Sequence, residues 1–72
     1  MPGRESEALA ECREALRINP GSPDAHNALG ILYVQLRHPD RARAEWQEAL
    51  RINPAYEAAR RNLRLLDEMP GP

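Results

Sequence analysis

Three side chains of this sequence could do acid–base, nucleophilic or metal chemistry near neutral pH: His26, His38 and Cys12. A nucleophile needs a base beside it, and a zinc site needs several close ligands at short spacings. These three residues fall on separate predicted elements, and no two of them form a close pair. We therefore predict no catalytic residue, no metal site and no cofactor, and we expect that the protein is not an enzyme.

The basic cluster of Arg60, Arg61 and Arg64 could bind phosphate or nucleic acid. Glu57 and Asp67 lie close to it in sequence, and the whole chain carries 10 basic and 11 acidic residues, for a net charge of −1. Proteins that bind nucleic acids usually have a net basic surface. We expect a solvated helix face here, and nucleic-acid binding is the less favoured hypothesis.

Length and composition predict one small globular domain over residues 1–72, because 42% of the chain is hydrophobic and 29% is charged. The single cysteine excludes an intramolecular disulfide, and no membrane-spanning run is present, so we expect a cytoplasmic protein. A chain of this length buries only about 60% of its unfolded surface. It therefore needs very regular helix packing or a partner to be stable.

Apolar residues recur at helical spacing in four segments. In the first segment, Ala8, Leu9, Cys12, Ala15 and Leu16 share one face. The pattern predicts an all-α fold with helices at about 4–18, 23–36, 39–52 and 55–68, and frayed ends at 1–3 and 69–72.

Internal prolines mark the predicted helix starts. Ser22 before Pro23 predicts an N-cap followed by proline at the first helical position, where the missing N–H costs nothing. Asn19 and Asn53 precede prolines in the same way. His38 precedes the proline that starts the third helix.

A shift of 34 residues superimposes residues 14–20 on residues 48–54 without a mismatch. Paired helices with this period resemble the tetratricopeptide repeat family. The family pattern is matched at His26, Leu29, Gly30, Tyr33, Ala42, Trp46 and Pro54. His26 stands in place of the family's aromatic residue and Trp46 in place of its Phe. Gly30 lacks a Cβ, which predicts that the third helix approaches the second closely there.

The resemblance implies one complete repeat at about 23–54, preceded by the second helix of another repeat and followed by a C-terminal capping helix. Charge on the last helix, at Arg60, Arg64 and Asp67, favours a polar outer face that ends the array. No helix of this chain is predicted to cover Leu9 and Cys12. We therefore expect self-association, as a symmetric dimer through the N-terminal helix, unless the chain was cut from a longer array.

The resemblance also implies a concave groove lined by the first helices of the repeats, which would bind a peptide or another protein. The implied groove residues are Asp24, Asn27, Ile31, Val34, Gln35, Ala58, Arg61 and Leu65, continuing to Glu68 and Met69. Ile31, Val34 and Leu65 would form an apolar floor, although the same residues could instead pack against another copy. The alternative function is an excised or designed repeat fragment that serves as a folding or assembly model and has no ligand.

Overall fold

The computed structural model describes residues 3–69 of the chain. Within these residues the chain forms four helices and no strand: α1 (Gly3–Ile18), α2 (Pro23–Gln35), α3 (Pro39–Ile52) and α4 (Glu57–Glu68). Each helix packs against the next one in the chain, which gives a row of helical hairpins. The predicted all-α fold is therefore confirmed. No helix in the described part of the chain is long and apolar enough to cross a membrane.

The end of each helix lies close to its predicted position. The predicted frayed ends at 1–2 and 70–72 lie outside the described residues, whereas Gly3 is the first residue of α1 and Met69 caps α4. Ser22 is the N-cap of α2, and its hydroxyl accepts a hydrogen bond from the Ala25 N–H at 3.2 Å, with proline following as predicted. Arg37 has a φ of 64°, which reverses the chain between α2 and α3.

Two predicted helix caps are wrong. Asn19 and Asn53 do not cap helices that begin at the following proline. Their side-chain oxygens accept hydrogen bonds from the N–H groups of Gly21 (3.2 Å) and Ala55 (3.1 Å). These contacts form Asx turns, a local conformation that competes with helix initiation. As a result α4 begins at Glu57, two residues later than predicted.

The core lies mainly between α2 and α3 and extends to α4. Its buried residues are Leu29 and Tyr33 from α2, Ala42, Trp46 and Ala49 from α3, and Ala59 and Leu66 from α4. Leu9, Cys12 and Leu16 of α1 are half-buried and pack against this cluster. The core is small because alanine fills many of the positions where the helices meet.

Gly30 allows the closest approach between α2 and α3. A Cβ placed on Gly30 would meet Trp46 Nε1 and would lie 2.7 Å from Cε2 and 2.8 Å from Cδ1 of the same indole. Trp46 is fixed there, since its Nε1–H donates to the Asn27 carbonyl oxygen at 3.1 Å and only 4% of it is exposed. The predicted close approach at Gly30 is confirmed, and the indole is what requires it.

Candidate functional site

The first candidate site is a cavity of about 290 Å³ between α2 and α4, which we call the α2–α4 cavity. Its apolar lining is Ile31, Val34, Trp46, Leu65, Leu66 and Met69, with Gln35 and Asn62 as polar members. Three of these side chains are notably accessible: Ile31 is 43% exposed, Leu65 52% and Met69 54%. The structure therefore brings together the predicted apolar floor of Ile31, Val34 and Leu65.

Asn62 lines the polar side of this cavity, and its side chain is held by Asn27, which lies outside the lining. The Asn62 side-chain amide donates to Asn27 Oδ1 at 2.8 Å, across the gap between α4 and α2. The backbone carbonyl of Asn27 accepts the Trp46 indole N–H. Asn27 was predicted to face a ligand, and here it joins α2 to both α3 and α4. Gln35 is exposed and lies at the edge of the cavity.

A second polar contact ties the N-terminal ends of α2 and α4. The Tyr56 hydroxyl donates to Asp24 Oδ1 at 2.5 Å. The hydrogen bond to the Asp24 carboxylate raises the pKa of Tyr56, with burial and the negative charge adding to the effect. The predicted groove residue Asp24 is exposed, and its carboxylate is already paired with Tyr56.

Five predicted groove residues lie outside the cavity lining: Asp24, Asn27, Ala58, Arg61 and Glu68. Ala58 is half-buried and Arg61 is exposed, and neither is part of the cavity lining. The sequence analysis did not predict Asn62. The signal that could have found it is a second asparagine on α4, the helix that corresponds to the first helix of a following repeat. Trp46 was also assigned only to the core, although an edge of the indole reaches the cavity.

The second candidate site is a larger cavity of about 580 Å³ between α1 and α2, which we call the α1–α2 cavity. Cys12 and Ala15 line it from α1, and Ala28 and Ile31 line it from α2. Leu9 packs against the core cluster and is not part of this lining. Of the two residues predicted for self-association, Cys12 is therefore the one beside the open cavity.

The residues with potential chemistry are held in structural contacts. His26 contacts the Glu45 carboxylate through Nδ1 at 2.7 Å and the Pro20 carbonyl oxygen through Nε2 at 3.1 Å. Burial, followed by the negative charge of Glu11, raises the pKa of the Cys12 thiol, which disfavours the reactive thiolate. His38 is exposed at the N-cap of α3, with its ring edge-on to Tyr33.

Metal binding finds no support in the geometry of the described part of the chain. Across residues 3–69, no three His, Cys, Asp or Glu side chains are grouped closely enough to hold a metal ion. The arrangement offers apolar concave surfaces with fixed polar edges, which suits the binding of another polypeptide.

The paired helices, the 34-residue shift and the concave surface between α2 and α4 define a helical-repeat protein of the kind that binds other polypeptides. A family model described as tetratricopeptide repeat matches residues 2–66, and the chain belongs to this family. Comparison with curated proteins and with solved structures found no match. The family assignment confirms the resemblance drawn from the repeat motif, and members of the family typically act as non-catalytic modules for protein–protein interaction.

Proposed function

We propose that this protein is a non-enzymatic, cytoplasmic module that binds a peptide segment of a partner protein in the α2–α4 cavity. The observation that carries the proposal is the cluster of accessible apolar side chains, Ile31, Leu65 and Met69, around a concave surface. Apolar side chains that cluster around a concavity, rather than lying singly on the surface, are typical of binding sites.

The size of the cavity limits the ligand. A volume of about 290 Å³ admits one or two aliphatic side chains rather than a whole helix face. Complete burial of one Leu or Met side chain contributes about 1.5–3 kcal/mol. We therefore expect a peptide with one apolar anchor and weak affinity, in the range of about 10 μM to 1 mM.

Polar groups at the rim favour a peptide backbone beside that anchor. Gln35 has its side-chain amide exposed at the edge of the cavity. Asn62 lines the cavity and donates to Asn27 Oδ1, and it retains unused donor and acceptor capacity, because a primary amide can form more than one hydrogen bond. These amides can pair with the N–H and C=O groups of an extended segment.

Selection from a phage-displayed library of random 12-residue peptides against the immobilised 72-residue chain tests the proposal. Selected peptides should carry an apolar anchor and should lose at least about tenfold in affinity for Leu65→Glu, because the anchor would then face a charge. Ile18→Glu is the matched control, since Ile18 is 70% exposed and lies outside the cavity lining. No enrichment, or equal binding to Leu65→Glu and wild type, would contradict the proposal.

A second proposed role is self-association through α1. The α1–α2 cavity favours it, because at about 580 Å³ it is the larger of the two openings and is lined in part by α1. Cys12 and Ala15 lie beside this opening, and neither side chain is fully buried. Self-association is measured by the mass in solution and peptide binding by the selection above, so each can be tested separately.

A further inference from the structure

The two cavities are counterparts under the 34-residue shift. The α2–α4 cavity is lined by Trp46, Asn62, Leu65, Leu66 and Met69, and the α1–α2 cavity by the residues 34 positions earlier, Cys12, Ala28, Ile31, Leu32 and Gln35. The smaller cavity has a third wall, formed by Ile31, Val34 and Gln35 of α2. Within residues 3–69 no helix forms the corresponding wall of the larger cavity, whose volume is about 580 Å³ instead of about 290 Å³.

The exposed side of α1 has the composition of a helix-docking surface. This α1 face consists of Ala8, Glu11, Cys12 and Ala15, and its counterparts on α3 are Ala42, Glu45, Trp46 and Ala49. On α3 these positions pack beneath α2: Ala42 and Ala49 are fully buried. On α1 the same positions are less covered: Glu11 and Ala15 are exposed, and Ala8 and Cys12 are only half-buried. The α1 face therefore fits a helix that packs as α2 packs on α3.

The matching surface lies on α4 of the same chain, on the polar face that the sequence alone predicts to end the array. The α4 outer face consists of Arg60, Leu63, Arg64 and Asp67, the counterparts of His26, Leu29, Gly30 and Tyr33, which α2 turns toward α3. α4 packs against α3 as α2 packs against α1. Arg60, Arg64 and Asp67 of this face are exposed, whereas Leu63 is half-buried and packs against the core cluster. We infer that the α4 outer face of one copy docks onto the α1 face of a second copy, head to tail. The inference deepens the self-association proposed above and specifies its geometry.

Side-chain size is complementary across the inferred contact. Within the chain, Gly30 faces the large Trp46, and no larger residue fits there because even a Cβ would overlap the indole. Between copies, the large Arg64 takes the place of Gly30 and the small Cys12 takes the place of Trp46. The large residue now lies on the α4 outer face and the small one on the α1 face. Because Cys12 is smaller than an indole, the space beside it can accept the aliphatic part of Arg64.

Charge is complementary at a second pair of positions. His26 contacts the Pro20 carbonyl with one ring nitrogen and Glu45 with the other. Arg60 is the counterpart of His26, and it donates to the carbonyl oxygen of Pro54, the counterpart of Pro20, at 2.6 Å. The guanidinium thus repeats the first contact of His26 within its own copy, and its Nη1 also lies 3.6 Å from Glu57 Oε1 of the same helix. The counterpart of Glu45 is Glu11, so the second contact becomes an ion pair between copies.

Asp67 of the α4 outer face keeps the contact weak. Asp67 replaces the aromatic Tyr33, and its carboxylate is paired with Arg43 of its own copy at 2.6 Å. The interface therefore lacks the aromatic packing that stabilises the α2–α3 contact. We expect association that depends strongly on concentration and, because a charge pair contributes to it, weakens with salt.

The contact can be repeated from copy to copy. Each copy of the 72-residue chain offers one α1 face and one α4 outer face, so the contact is heterologous and builds a filament, or a ring where the rotation between copies closes. A symmetric dimer through α1 would instead stop at two copies. In the head-to-tail assembly, Leu65 and Met69 of the first copy lie across the α1–α2 cavity of the second copy from its Ile31, which extends the apolar groove from one copy to the next.

Sedimentation velocity and light scattering of the 72-residue chain over a concentration series test the inference. The mass should rise beyond that of two copies and fall with added salt. Glu11→Arg and Arg60→Glu should each weaken association about tenfold or more, because each places like charges at the contact. Arg13→Glu is the matched control: it reverses an exposed charge on α1 outside the α1 face and should leave association unchanged.

A mixture of the two variants tests the ion pair between Arg60 and Glu11 most directly. In an equimolar mixture of Glu11→Arg and Arg60→Glu, every contact between unlike variants again joins opposite charges, and association should return. Circular dichroism checks that each variant is folded. A mass that levels off at two copies would overturn the head-to-tail geometry while leaving self-association in place. A strict monomer would overturn both the head-to-tail geometry and self-association. If association does not return in the mixture, the ion pair between Arg60 and Glu11 is ruled out.

Discussion

Replacement of Gly30 by Ala tests how closely α2 and α3 must approach. Intrinsic helix propensity alone predicts that this change stabilises the protein by about 1 kcal/mol, because glycine is the poorer helix former. The packing predicts the opposite sign. The new methyl would lie 2.7 Å from Cε2 of Trp46, well inside van der Waals contact, and the indole is a rigid ring rather than the end of a flexible chain.

The expected loss in the free energy of unfolding follows from the displacement of the Trp46 indole. Overpacking of a tight core typically costs about 1–3 kcal/mol. Displacement of the indole also strains its hydrogen bond to the Asn27 carbonyl, which is worth about 1 kcal/mol. Offsetting these costs by the helix-propensity gain leaves a net destabilisation of about 1–3 kcal/mol. Domains of this size seldom obtain more than about 3–5 kcal/mol from their cores, so the loss would be a large fraction of the total.

Urea denaturation followed by circular dichroism and Trp46 fluorescence measures the effect. Gly21→Ala is the matched control, because a Cβ there would meet only Asn19 Oδ1 at an ordinary 3.7 Å and Gly21 does not have a positive φ. That variant should be unchanged or stabilised by up to about 1 kcal/mol. A Gly30→Ala variant as stable as wild type, or more stable, would refute the packing argument.

Trp46→Ala should unfold the domain, because loss of a buried Trp costs about 3–5 kcal/mol, comparable with the whole stability expected at this size; a helical circular dichroism spectrum with cooperative melting would contradict this. Asn27→Ala should stay folded but lose about 1 kcal/mol with its bond to Asn62, and Arg61→Ala should leave the denaturation midpoint unchanged, since Arg61 is exposed. Tyr56→Phe should change how the free energy of unfolding depends on pH in the alkaline range. The pKa of Tyr56 is raised in the folded state. The stabilisation that the Tyr56 hydroxyl gives is therefore fully present below the pKa of about 10 that Tyr has in the unfolded chain, and it is lost as pH rises through the pKa of the folded state. Wild type should therefore exceed the Phe variant in urea midpoint at neutral pH, and the gap should shrink above pH 10 or so; a constant gap would contradict the assignment.

Sequence reasoning predicted the helices well because their periodicity and the 34-residue repeat are local signals. It failed at Asn19 and Asn53, where an asparagine followed by proline is compatible with both a helix cap and an Asx turn. In each case the residue after the proline takes the asparagine's hydrogen bond, and the start of the next helix follows from that turn. Local sequence does not distinguish the two conformations.

The site was predicted in part, for a similar reason. Ile31, Val34 and Leu65 were identified because family positions and helical spacing both place them on one stripe. The Asn27–Asn62 bond joins residues 35 positions apart, and it depends on the angle at which α2 and α4 lie. Contacts between side chains so far apart in sequence can be identified only when the packing of the helices is known.

The central claim is that the apolar surface between α2 and α4 binds a peptide from a partner protein. A ¹⁵N-labelled sample titrated with a peptide chosen by the phage selection tests it most directly, through the amide chemical shifts. The account predicts saturable shifts centred on Ile31, Val34 and Leu65, with little change at Ile18, which lies outside this cavity. Shifts that centre elsewhere, or a spectrum unchanged at millimolar peptide, would contradict it.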